Sequence, residues 1–135
     1  MKTKLRGRQN TYKYSFTTFK CDVDKMCEII TDNNWNLKYI YGPPRGGCIL
    51  AVFLSHKLNL KYLTSLRQEH IPSKTLIVDD VSDTGKTLSQ IPNIRKYKTA
   101  TLFIKPGTVY SPSVFINAVP RNVWIHYFWE KDFNT

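Results

Sequence analysis

Thr75, Leu76, Ile77 and Val78 form an unbroken aliphatic and β-branched run that stops at two adjacent carboxylates, Asp79 and Asp80. A strand that is apolar on both sides must be covered on both faces, which helix-flanked parallel sheets provide and half-exposed antiparallel sheets do not. The run therefore predicts the central strand of a mainly parallel, twisted sheet flanked by helices, an α/β fold. In open sheets of this kind ligands lie beyond the carboxyl ends of the strands. Asp79, Asp80 and the residues after them are thus placed to face a ligand.

The rest of the chain alternates to match. Aromatic and Thr residues predict a strand over 12–19, and Val23, Met26, Cys27 and Ile30 fall at helical spacing over 22–30, with Asp22 as the cap. Strands follow over 38–41 and, at an edge, 61–66, separated by a buried helix over 48–58. Past the central strand over 75–78 come a helix over 84–88 that Pro92 must end, a buried strand over 100–104, and closing strands over 114–116 and 123–128. A chain of 135 residues buries roughly two thirds of its extended surface on folding, enough for one domain over 1–135 with a basic tail over about 1–10.

Composition narrows the partners. With 20 Lys and Arg against 10 Asp and Glu, the net charge of +10 points to an anionic partner, either a phosphorylated metabolite or, through a basic surface, a nucleic acid. No apolar run approaches the roughly 18 residues of a membrane span, and basic 1–8 leads into Gln9, Asn10 and Thr11 and not into a signal-peptide core, so a cytoplasmic, soluble chain is expected. Cys21, Cys27 and Cys48 are odd in number and lack the C-x-x-C spacing of redox or zinc sites, in keeping with that compartment, and His56, His70 and His126 are too scattered for a local metal motif. A homo-oligomer is the expected assembly.

Two loops carry the chemistry. After Asp79 and Asp80, whose four oxygens can accept from a cis-diol, Asp83, Thr84, Gly85, Lys86 and Thr87 put small and hydroxyl residues where a helix begins, so that amide and hydroxyl donors can wrap a phosphate. A helix capped by Asp83 or Thr84 would use the same residues without requiring the acidic pair. Gly85-Lys86-Thr87 also matches the end of a P-loop, but that motif's first glycine would fall on Asp80, so a P-loop is excluded. The second loop, Gly42-Pro43-Pro44-Arg45-Gly46-Gly47, offers glycine amides and a fixed guanidinium suited to a pyrophosphate; a tight turn with Arg45 in water is the plainer alternative.

Residues 75–87, TLIVDDVSDTGKT, resemble the 5-phosphoribosyl-1-pyrophosphate (PRPP) signature of the type I phosphoribosyltransferases, with Ser82 where an aliphatic residue is commoner. The resemblance runs over about 38–129 and is closest to the xanthine-guanine and hypoxanthine purine-salvage branch. It implies a small hood built from the N- and C-terminal segments. It also implies that Asp79 and Asp80 hold the ribose hydroxyls, that Asp83 to Thr87 hold the 5-phosphate, and that Asp83 accepts a proton from the base. Arg45, Gly46 and Gly47 would hold pyrophosphate, with the peptide before Arg45 in the cis form. Lys105 would donate to the purine 6-oxo group, Trp124 would cover the ring, and the main chain of Ile125 would meet the base edge. Without the resemblance, Lys105 reads as an exposed cation and Trp124 as a core residue.

The activity implied is transfer of a 6-oxopurine (hypoxanthine, guanine or xanthine) to PRPP with release of pyrophosphate. Mg2+ would be held mainly by the substrate, with Asp79 and Asp80 as candidate ligands. The alternatives are a non-catalytic PRPP or nucleotide sensor on the same fold that binds nucleic acid through its basic face, and a salvage enzyme for another base. Two departures from the family bear on these: the stretch over 67–74 is short where relatives carry a long mobile loop, and His126 follows Trp124-Ile125 where an acidic residue is usual, with Glu130 the nearest downstream carboxylate.

Overall fold

The computed structural model of the chain describes residues 10–67 and 71–134. Five parallel strands form the main sheet in the order β3-β2-β4-β5-β6: β2 (Tyr39–Tyr41), β3 (Lys61–Leu63), β4 (Thr75–Ser82), β5 (Lys98–Ile104) and β6 (Val114–Ala118). The run at Thr75 is the middle strand, as its composition requires. Successive side chains of a strand point to opposite faces, and β4 feeds two cores accordingly. Leu76 and Val78 join the large cluster with Phe19, Val23, Met26 and Leu50, while Ile77 joins a smaller one with Leu88, Ile94 and Tyr110.

Helices α1 (Phe16–Asn33) and α2 (Gly46–Leu58) cover the large core, α1 packing on β6 and α2, and α2 packing on β2 and β4. A second, two-stranded parallel sheet joins β1 (Asn10–Tyr14) to β7 (Val123–Tyr127), pairing Tyr12 with Ile125 and Tyr14 with Tyr127. This is the hood. Its aromatic rings sit on β5, the Tyr14 and Phe103 rings meeting edge to face at 4.8 Å. No helix among the described residues is long and apolar enough to cross a membrane.

Three local expectations are corrected. The strand expected over 12–19 ends at Tyr14, because the Ser15 hydroxyl accepts from the Thr18 amide at 3.1 Å and caps α1 one turn before Phe19. Asp22 is therefore no cap. It lies buried inside α1, accepting from the Tyr14 hydroxyl at 2.7 Å and from the Asn117 amide at 2.9 Å. The helix expected over 84–88 is the single turn α3 (Lys86–Ser89), followed by a 3-10 turn at Ile94–Lys96, so a loop-rich crossover joins β4 to β5. Of the short stretch over 67–74, residues 68–70 lie outside the described residues, and Pro72–Lys74 form a 3-10 turn leading into β4. The basic tail over 1–9 also lies outside them.

Candidate active site

A cavity of about 1290 Å³ opens at the carboxyl end of the sheet, beneath the hood. Arg45, Gly46, Asp80, Asp83, Lys105 and Trp124 line it, drawn from four separate stretches of chain. Ile125, His126, Tyr127 and Glu130 are among the residues that line it on the hood side.

Asp79 and Asp80 lie inside β4, which runs on past the expected end at Val78 to Ser82 and keeps its pairing with β5 there. The Asp80 amide donates to Asp79 Oδ1 at 2.9 Å, and the Val81 amide donates to Asp80 Oδ1 at 2.8 Å. Burial raises both carboxyls above the usual range, Asp79 to about 8 with the neighbouring Asp80 charge adding to the effect. Two adjacent carboxylates out of water favour a proton, a hydroxyl donor or a cation between them. Gly46 makes room for the pair, since a Cβ there would collide with the Asp80 carboxylate.

The glycine-arginine loop has the cis peptide at Pro44–Arg45, and α2 begins directly after it. Its two glycines play different parts. Gly46 lines the cavity, whereas the Gly47 amide, expected to face the ligand, donates to the Pro43 carbonyl at 2.9 Å and the residue is buried behind the loop. A Cβ on Gly47 would press on the Val78 carbonyl of β4, so its contribution is close packing.

In the second loop Gly85 has φ +85°, and a Cβ there would meet the Thr108 hydroxyl and the Tyr110 amide. Gly85, and neither Asp83 nor Thr84, occupies the cap position of α3, and no side chain caps it. The Thr84 carbonyl accepts from the Val109 amide at 2.8 Å. Thr84, Lys86 and Thr87 are exposed, and of this loop Asp83 alone is among the residues that line the cavity. Ser82, the departure from the aliphatic pattern, is buried and donates to the Tyr110 carbonyl at 2.7 Å, tying the loop to the segment after β5.

At the base end, Lys105 is 7% exposed, which removes the reading of it as a solvated cation. Its ammonium donates to the Val123 carbonyl at 2.7 Å and stands 3.5 Å from Asp83 Oδ2. Trp124 is half-buried on the cavity wall, while Ile125 is 6% exposed with its side chain among the core rings. Sequence reasoning missed Arg121. Its guanidinium pairs with Asp83 Oδ1 and also donates to the Asp83 carbonyl at 2.9 Å and to the Pro106 carbonyl. Nothing in a turn sequence such as Pro120-Arg121-Asn122 signals a contact reaching 38 residues back.

No family model matches the chain. It is 25% identical over 114 residues to the xanthine-guanine phosphoribosyltransferase of Idiomarina loihiensis, an alignment covering 69% of this chain and 71% of that protein. Among solved structures, the purine phosphoribosyltransferase of Pyrococcus horikoshii superposes with a TM-score of 0.78 at 27% identity, covering 90% of this chain and 95% of the other. The xanthine-guanine-hypoxanthine phosphoribosyltransferase of Helicobacter pylori superposes with a TM-score of 0.77 at 23% identity, over 92% and 95% of the two chains. A hypothetical protein of Neisseria gonorrhoeae with bound ppGpp shares the fold at a TM-score of 0.70 and 16% identity, over 93% of each chain.

Proposed function

Because the chain belongs to the type I phosphoribosyltransferases, on the purine-salvage branch of these pentosyltransferases, we propose that it joins a 6-oxopurine to C1 of PRPP and releases pyrophosphate. The observation that carries this reading is the meeting of Asp80, Arg45, Gly46, Asp83, Lys105 and Trp124 around one cavity. Departure of pyrophosphate leaves a ribosyl centre with oxocarbenium character, so the site must hold the diol and the 5-phosphate and stabilise the charge that leaves. Asp79 and Asp80 accept from the ribose hydroxyls. The amides and hydroxyls of Thr84 to Thr87 take the 5-phosphate, and Arg45 with the Gly46 amide meets the pyrophosphate. The helix dipole contributes little, since α3 is one turn long.

The base and the general base are linked through Lys105. Arg121 holds Asp83 Oδ1 while Lys105 stands at Oδ2. A purine with a 6-oxo group draws the Lys105 ammonium toward that oxygen and frees Oδ2 to accept the proton from the base. Trp124 covers the ring and keeps water from these polar contacts.

The donor set also fits Mg2+ carried in by the substrate. Magnesium takes oxygen ligands and commonly binds through one or two carboxylates plus substrate phosphates. Asp80 supplies a carboxylate at the cavity with Asp79 buried next to it, while no group of three or more His, Cys, Asp or Glu among the described residues forms a resident cage. Such an ion would supply charge neutralisation at the pyrophosphate.

A second reading, a non-catalytic nucleotide sensor, is favoured by the net charge of +10 and by the fold shared with the ppGpp-bound Neisseria protein. One screen separates the two. Hypoxanthine, guanine, xanthine, adenine and pyrimidines are offered with PRPP and Mg2+, and nucleotide and pyrophosphate are measured. Turnover of a 6-oxopurine supports the transferase; nucleotide binding without turnover of any base supports the sensor.

A further inference from the structure

Tyr127 lines the same cavity as Asp80 and Glu130 and is 6% exposed, yet its hydroxyl is the one buried side-chain polar atom among the described residues without a hydrogen-bond partner. The ring cannot swing away to find one. It stacks on Trp129 at 4.6 Å with the planes 11° apart, and meets Tyr14 at 5.9 Å and Phe103 at 6.0 Å edge to face. Tyr14, its register partner in the hood, differs on this point, because its hydroxyl is satisfied by Asp22. A buried hydroxyl left without a partner is a cost to the free protein. It is retained at a cavity wall where a ligand can satisfy it.

The chemistry of the neighbours says which ligand group that is. When a diol displaces the proton that the free pair holds, the ionised Asp79 and Asp80 carboxylates are acceptors only, so the diol donates its O–H groups to them. Its oxygen lone pairs then need a donor, which neither Asp supplies. A protonated phenol does. Burial, with the nearby Asp80, Asp79 and Glu130 charges, keeps the Tyr127 phenol protonated well beyond the ordinary tyrosine range.

We infer that the Tyr127 hydroxyl is a further ligand-binding group of this site, donating to a ribose hydroxyl that in turn donates to the Asp79 and Asp80 pair. The inference rests on the transferase reading for the presence of the ribose. It adds a sugar-reading donor from the hood to the acidic pair on the sheet, so that the ribose is gripped from both.

The test compares Tyr127→Phe with wild type by calorimetric titration of PRPP, GMP, 2′-deoxy-GMP and 3′-deoxy-GMP, with thermal melting of each free protein. Loss of one neutral hydrogen bond should weaken PRPP and GMP about 5- to 10-fold. One of the two deoxy analogues, the one lacking the contacted hydroxyl, should bind both proteins equally. The melting temperature of the free variant should hold or rise, since an unsatisfied group has been removed. Tyr14→Phe serves as the contrast, because loss of a satisfied hydroxyl should lower the melting temperature and leave nucleotide affinity unchanged. Equal affinity of Tyr127→Phe for all four ligands would overturn the inference, as would a uniform loss across GMP and both deoxy analogues, or a drop in melting temperature like that of Tyr14→Phe. If wild type binds neither PRPP nor GMP, the functional reading itself fails, a result distinct from failure of the Tyr127 contact.

Discussion

The Lys105 ammonium stands 3.5 Å from Asp83 Oδ2 while donating to the Val123 carbonyl at 2.7 Å, so one buried cation joins the end of β5, the loop after β4 and the first residue of β7. An ammonium has three donors and no acceptor, which suits a 6-oxo oxygen and opposes the 6-amino group of adenine. A hydrogen bond to a charged group is worth about 1.5–3 kcal/mol, so Lys105→Met should lower kcat/KM for hypoxanthine or guanine roughly 10- to 150-fold. Adenine should gain in relative terms. The measurement is the ratio of kcat/KM for hypoxanthine to that for adenine in both proteins, and an unchanged ratio would remove Lys105 from base recognition.

Asp83→Asn keeps the size of the side chain and its hydrogen bonds to Arg121 in part, but removes the carboxylate proposed to accept the proton. General-base catalysis contributes about 10²–10⁴-fold. Turnover should fall by that order with PRPP affinity little changed. Steady-state rates beside PRPP titrations check it, and wild-type turnover in the variant would exclude Asp83 from the proton transfer.

The two glycines after Arg45 should separate under substitution. Gly46→Ala puts a methyl against the Asp80 carboxylate and displaces it, so PRPP affinity or turnover should fall by about 10²-fold, the scale of a small misplacement in a catalytic site. Gly47→Ala instead presses on the backbone of β4 and should act on stability. Melting curves and titrations of both variants distinguish the effects. Equal behaviour of the two would contradict the assignment.

The acidic pair also sets a pH dependence. Asp79 is raised from an ordinary 3.8 to about 8 in the folded protein, so the native state holds a proton that the unfolded chain releases. The stability this contributes is fully present below the unfolded value and is lost as pH rises through about 8. The melting temperature of the free protein should therefore decline from pH 5 to pH 8, and Asp79→Asn should flatten that decline. Thermal melts across this range, in buffers of constant ionic strength, are the check.

What could be read from sequence divides along physical lines. The central strand, the acidic pair and the two loops are legible because their chemistry is local: apolar run, carboxylates, glycines and hydroxyls stand within a few residues of one another. The start of α1 is not, since Thr17 and Thr18 favour strands and the Ser15 cap that overrides them is one hydrogen bond. Asp22 looks like a cap until Asn117, far along the chain, is brought to it. The Arg121 contact to Asp83 and the unsatisfied Tyr127 hydroxyl belong to the folded packing alone. The engagement of the Gly47 amide is hidden for a related reason, because only the turned loop brings the Pro43 carbonyl to it.

The pairing of β1 with β7 has a consequence for how the site comes into being. Every contact in that small sheet joins the first described strand to the last, so no part of the hood can form from one half of the chain alone. Closing such a long loop carries an entropy cost that local helices and neighbouring strands do not meet, and it is repaid only when the aromatic rings dock on β5. The sheet, with its acidic pair and the loop over 83–87, can assemble first from near neighbours. The wall that carries Trp124, Ile125 and Tyr127 arrives afterwards, and the end of the cavity proposed to hold sugar and phosphate is thereby built before the end proposed to choose a base.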